Sequence, residues 1–182
     1  MIERSDRMKP RSGNGITPVG AVACGIAAGV VGTACMTAVQ EVMARRRRAH
    51  AFTAAENGHA DPWAKAPAPA QLARRVVEGV LQREVPAERI PLLTNAVHWG
   101  YGTAMGGLYG LVEGSLRPQP AVHGPIFGLG VWASSYASLV PLGLYEPPWH
   151  YKPSSIAKDI SYHLAYGSGV AAGYALLRTR RQ

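Results

Sequence analysis

The chain is 182 residues long, enough for one domain, and carries 19 Lys and Arg against 11 Asp and Glu, a net charge of +8. Its mean hydropathy of −0.02 looks like that of a water-soluble protein, but the average mixes two kinds of text. Charged residues make up 16% of the chain and are absent from four long windows, which argues against a helical domain solvated on all its outer faces.

Residues 1–15 are polar, include Arg4, Arg7, Lys9 and Arg11, and read as a disordered basic N-terminus. The first charge-free window covers residues 12–40 and predicts a helix over 16–43. A bilayer core roughly 30 Å thick needs about 20 helical residues at about 1.5 Å each. A Lys, Arg or Asp at its centre costs about 2.5–3.5 kcal/mol, so selection for insertion clears charge from such windows. A soluble helix needs one apolar stripe and keeps charges on its other face. The apolar run is too long for the core of a secretory signal, so it reads as a retained span. Gly25 and Gly29 give this helix a small-xxx-small face on which another backbone can approach closely. Cys24 and Cys35 lie eleven positions apart on it and cannot pair with each other.

Arg45, Arg46, Arg47 and Arg48 follow the first span. Basic clusters beside a span orient it and meet anionic lipid head groups. A nucleic-acid patch is the rival reading, disfavoured because no aromatic residue is interleaved with these arginines. The Pro- and Gly-containing stretch 44–70 reads as a loop. Over 71–84, Leu72, Val76, Val77, Val80 and Leu81 share one helical face, and Arg74, Arg75, Glu78 and Gln82 fall elsewhere. That pattern predicts a short amphipathic helix lying on the membrane surface or against the bundle ends.

Three further charge-free windows follow, at 90–112, 118–145 and 160–177. They predict helices over about 91–114, 122–144 and 155–177, the second beginning after a turn at Arg117-Pro118-Gln119-Pro120. Pro141 is expected to kink or end that helix. Trp149, His150, Tyr151 and Lys152 have the composition of an interfacial belt. Glu41 and Glu113 read as head-group residues, His123 as a turn residue, and Trp99, Trp132, Tyr136 and Tyr145 as packing residues or interface anchors. Residues 179–182 form a basic tail. An even number of spans puts both termini on one side. That side holds eight of the 19 Lys and Arg, so charge does not set the orientation.

Helices two and four echo each other at an offset of 65 residues. His98, Tyr101, Gly102 and Tyr109 match His163, Tyr166, Gly167 and Tyr174. Positions i, i+3, i+4 and i+11 share one helix face, so each helix carries the same polar-aromatic stripe. The two helices would run parallel, with both histidines at similar depth. Histidine within a membrane must face the bundle interior and find partners. The structural reading has both bonded across helices to Tyr, Asn or backbone, with Asn95 near His98 and Asp159 one turn before His163. The functional readings are a proton-relay or ion site, a metal site, or a haem held by His98 and His163. Convergence of these side chains on a polar cavity would favour the functional side. No nucleotide-binding, metalloprotease, hydrolase or CxxC motif is present, so catalysis is not expected.

The segments GVVGTACMTAVQEVMARRRR, APAPAQLARRVVEGVLQRE, TNAVHWGYGTAMGGLYGLVEGSLR and SSIAKDISYHLAYGSGVAAGYALL resemble YagU-like proteins and related actinobacterial domains of unknown function. The resemblance covers most of residues 16–178, and its most specific text is His98–Gly102. It implies a multi-pass helical fold in the bacterial plasma membrane and no known activity.

Taken together, the sequence predicts an all-α chain: a four-helix transmembrane bundle with an amphipathic interfacial helix between its first two spans. Gly25, Gly29, Gly102, Gly106 and Gly167 are its packing positions. His98, Tyr101, His163, Tyr166, Asp159 and Asn95 form its polar layer. The expected partners are the lipid bilayer, anionic head groups and further copies of the chain, with no nucleic acid. The expected role is structural or interactive, without cofactor or metal; the alternative is proton or small-solute transport or sensing through the His/Tyr layer.

Overall fold

The computed structural model describes residues 16–50, 61–116 and 119–179. The expected N-terminal tail, the Arg117-Pro118 pair and the last three residues lie outside them. Five α-helices make up the described chain: α1 (Pro18–His50), α2 (Ala68–Leu81), α3 (Ile90–Glu113), α4 (Pro120–Leu139) and α5 (Pro153–Thr179). Single 3-10 turns at Ala87–Arg89 and Pro148–His150 join them, and the described residues contain no strand.

The helix ends follow from local chemistry. The Thr17 hydroxyl accepts the Gly20 amide at 3.1 Å, capping α1. Prolines open α2, α3 and α4 within their first turns, where no intrahelical donor is lost. Pro69, expected in a loop, therefore sits inside α2, which begins at Ala68 rather than near 71. α2 stops at Gln82, which adopts the left-handed conformation at φ 53°. α1 also runs past its expected end and carries the backbone of Arg45–Arg48 in helix rather than loop. Ala, Met and Arg favour helix there, and Glu41 pairs with Arg45 at 2.9 Å one turn on. α4 ends at Leu139, five residues earlier than expected, because Pro141 has no N–H to continue the helix and Gly143 turns the chain at φ 64°.

Among the described residues, one helix, over Pro18–Arg46, is long and apolar enough to cross a membrane on its own text. The charge-free windows of α3, α4 and α5 do not reach that standard. Their Gly, Tyr, Ser and His residues dilute the hydropathy without adding charge.

α1 lies between α3 and α5, and α4 packs on the other side of α5. Glycine makes each contact close. A methyl group built on Gly25 would lie 2.8 Å from Gly110 Cα, and one on Gly29 would lie 3.0 Å from Gly106 Cα. One on Gly169 of α5 would lie 3.0 Å from Gly32 Cα of α1, and one on Gly167 would lie 2.8 Å from Gly128 Cα of α4. Across the wider gap between α3 and the α4–α5 pair, aromatic rings fill the core. Tyr109, Phe127, Tyr166 and Tyr174 form it, with Tyr109 5.0 Å from Phe127 and 5.7 Å from Tyr174 between ring centroids. Offset and edge-on pairs at these spacings add about 0.5–1.5 kcal/mol each beyond their buried area.

Two hydrogen bonds set the register of α5 on α3. The Tyr166 hydroxyl donates to the Gly102 carbonyl at 2.6 Å, and the Tyr174 hydroxyl to the Gly110 carbonyl at 3.2 Å, both across 64 residues. Equal separation at two points two turns apart means that the helices run parallel. The register matches the 65-residue sequence echo to within one residue. Reciprocal bonds are missing: Tyr101 pairs with Ser134 at 3.0 Å, and the Tyr109 hydroxyl is buried without a well-formed hydrogen bond. The two halves are thus related but not equivalent.

α2 rests on the start of α3 over a small satellite core of Trp63, Ala66, Ala70 and Val85. The Glu78 carboxylate closes this corner, accepting from Arg74 Nε at 2.9 Å and from the Val85 amide at 3.2 Å. Arg74 in turn lies 4.8 Å over the Trp63 ring. The Arg74 hydrogen bond, then the Val85 amide, hold the Glu78 carboxyl below its ordinary value of 4.5. Stabilisation from a depressed carboxyl is present above pH 4.5 and is lost as pH falls through the lower folded value. Glu78→Gln should therefore raise hydrogen exchange at the Val85 amide several-fold at pH 7 and flatten its acid dependence. Equal protection in wild type and variant at every pH would show that Glu78 does not hold this turn.

Candidate functional site: a polar chamber and a buried carboxylate

A cavity of about 270 Å³ opens at the end of the bundle where α1 and α4 finish and α3 and α5 begin. Each of the four bundle helices lines it. α1 contributes Thr33 and Gln40, α3 His98 and Tyr101, α4 Ser135 and Ser138, and α5 Asp159, His163 and Tyr166. Pro69 and Leu72 of α2 close it from above, so the amphipathic helix is also the roof of the chamber. The helix faces meet here because His98 and His163 occupy corresponding positions on parallel helices.

Five of the six residues expected in the polar layer line this cavity. His98 Nε2 lies 3.3 Å from the Thr37 hydroxyl of α1. His163 Nδ1 lies 2.9 Å from the Asp159 carbonyl and 3.6 Å from the Asp159 carboxylate, which is adjacent but not bonded. If the ring donates from Nδ1 to that carbonyl, Nε2 remains free as an acceptor. Tyr166 is buried, and Tyr101 is part of the outer surface at 42% exposure. Asn95 is the exception. It is exposed, and its amide donates to the Pro91 carbonyl of its own helix at 2.9 Å, so it does not serve His98. Asn95 stands one turn before His98, nearer the exposed start of α3, where its side chain turns back onto its own backbone.

Asp159 carries the densest network. Its Oδ2 accepts from the Trp132 indole at 3.0 Å and from the Tyr136 hydroxyl at 3.3 Å. Tyr136 stands against Tyr145 and Tyr151. Residues read as packing groups or interface anchors thus position a carboxylate.

A second polar site lies at the opposite end, and the sequence reading missed it. Glu113, expected at the head groups, is 2% exposed. His123, expected in a turn, lies in the first turns of α4, and its Nδ1 sits 2.7 Å from Glu113 Oε2. The Tyr109 hydroxyl of α3 and a guanidinium nitrogen of Arg178 on α5 are also buried without a well-formed hydrogen bond. The available signal was the shortness of the α3–α4 turn, which brings positions 113 and 123 face to face. Among the described residues, no group of three or more His, Cys, Asp and Glu could hold a metal ion. No family model, curated protein or solved structure matches the chain.

Proposed function

We propose that α1, α3, α4 and α5 span a membrane and that the chamber between them binds or passes a proton or small polar solute. The reading rests on one observation: polar side chains from all four bundle helices line one cavity. Support for the membrane comes from the outer surface. Ile26 and Val30 of α1, Leu108, Leu111 and Val112 of α3, and Val122, Ile126 and Leu129 of α4 are all exposed. Surfaces this apolar on a monomer mark a membrane or a partner. Water-filled polar cavities are where transporters place ionisable residues. The resemblance to YagU-like proteins points to the same multi-pass bundle in a bacterial plasma membrane, with Arg45–Arg48 against anionic head groups. We assign no enzymatic role and no haem.

A second reading is a scaffold without transport, in which the glycine faces serve packing within the bundle and between copies of it. The close backbone contacts of Gly25, Gly29 and Gly106 favour it. The two readings separate on one variant. His98→Phe combined with His163→Phe should keep the helical circular dichroism spectrum. In liposomes loaded with a pH-sensitive dye, it should reduce proton or solute flux to that of protein-free vesicles. Equal flux from variant and wild type rejects the chamber as the route, and a wild-type protein without flux favours the scaffold.

A further inference from the structure

We infer that the chamber selects a small organic cation, an amine or quaternary ammonium with a compact apolar body. The inference deepens the binding role proposed above and rests on it. It starts from the charge of the lining. Among the described residues, Asp159 is the single acidic residue there, and no Lys or Arg joins it. The lining thus offers an acceptor for a positive group and no fixed cation to compete for it.

The Asp159 carboxylate is arranged for an incoming positive group. Its Oδ2 is occupied by the Trp132 and Tyr136 donors, which fix its orientation. Its Oδ1 faces His163 at 3.6 Å, beyond hydrogen-bond distance. One lobe of the carboxylate is thus held and the other is left for a ligand. A partly desolvated carboxylate attracts a cation far more strongly than one in water, and repels an anion equally. Tyr101, Tyr145 and Tyr166 also line the cavity, and aromatic rings attract ammonium groups through their faces. Met36, Val97, Val131 and Leu139 supply apolar wall. A volume of about 270 Å³ suits a molecule of one ring or a short chain. A free phosphate, a carboxylate or a sugar lacks either the charge or the apolar body.

The test uses three benzene-ring probes of similar size and different charge on the purified full-length protein in detergent: benzylammonium, benzamide and benzoate, measured by titration calorimetry. Benzylammonium should bind at least tenfold more tightly than benzamide, and benzoate should not bind. Asp159→Asn should reduce benzylammonium affinity at least tenfold, and Asp159→Glu should retain most of it. The probe series on wild type stands even if Asp159→Asn does not fold. Comparable binding of all three probes, or tightest binding of benzoate, overturns charge selection and leaves the chamber as a solute site. Binding of none of the three overturns both.

Discussion

Gly106→Ala should dismantle the contact between α1 and α3 and lower the melting temperature more than any other single methyl addition in the bundle. The added Cβ would meet the Gly29 Cα and the Gly25 carbonyl oxygen, and the Gly29 amide nitrogen at 2.6 Å. All three are backbone atoms of a neighbouring helix. No side chain can rotate away, so the helices must separate along their shared length. Overpacking typically costs 1–3 kcal/mol where side chains can adjust. With rigid backbone on both sides, about 3 kcal/mol or more is expected, a large share of the 5–15 kcal/mol that holds a typical domain. Gly130→Ala is the matched control. Nothing lies within 4 Å of its built Cβ, and alanine favours helix over glycine by about 0.8–1 kcal/mol, so the control should melt at or above wild type. A thiol-reactive fluorophore provides the readout, because Cys24 is buried at 3% exposure on the facing helix α1 and becomes reactive on opening. Superimposable melting curves for Gly106→Ala and wild type would mean that the two backbones are not in contact.

His123→Ala should also destabilise, because it takes a hydrogen-bond partner from a buried carboxyl group. It leaves Glu113 in a site where 2% of the residue reaches solvent, without the imidazole that now meets it at 2.7 Å. Leaving a buried acceptor without its partner costs about 1–3 kcal/mol. His123 is 24% exposed on its side chain, so water will enter the gap and about 1–2 kcal/mol is expected. Removing both partners in Glu113→Gln/His123→Ala should recover part of the loss. Melting temperatures for the wild type, both single variants and the double variant complete a thermodynamic cycle. Additive losses would show that Glu113 and His123 do not interact in the folded protein.

Both effects lie on links that sequence patterning reaches unevenly. The helices were legible because each charge-free window is long and each is bounded by Pro, Gly or charge. Their ends were less so. Arg45–Arg48 continue α1 because nothing breaks it, and charge alone does not end a helix. The stripe of His98, Tyr101, His163 and Tyr166 was legible as a repeat of one face on two helices. Asn95 shares that face with His98, but its amide bonds to the Pro91 carbonyl of its own helix near the exposed start of α3, which side-chain type does not foretell. Glu113 and His123 were misplaced for a related reason. Each stands at a helix end, where hydropathy predicts solvent or head groups, and their burial depends on how α3, α4 and α5 converge.

From the order of residues alone came an all-helical chain, its charge-free windows, the glycine faces and the doubled His-Tyr stripe, because these depend on local periodicity and side-chain type. Only the tertiary packing decided which glycine meets which, that α2 roofs a chamber, that Asp159 is held by Trp132 and Tyr136, and that Glu113 is buried against His123. Those outcomes depend on the rotation and separation of helices far apart in the chain, and the backbone contacts that set them leave no period in the sequence.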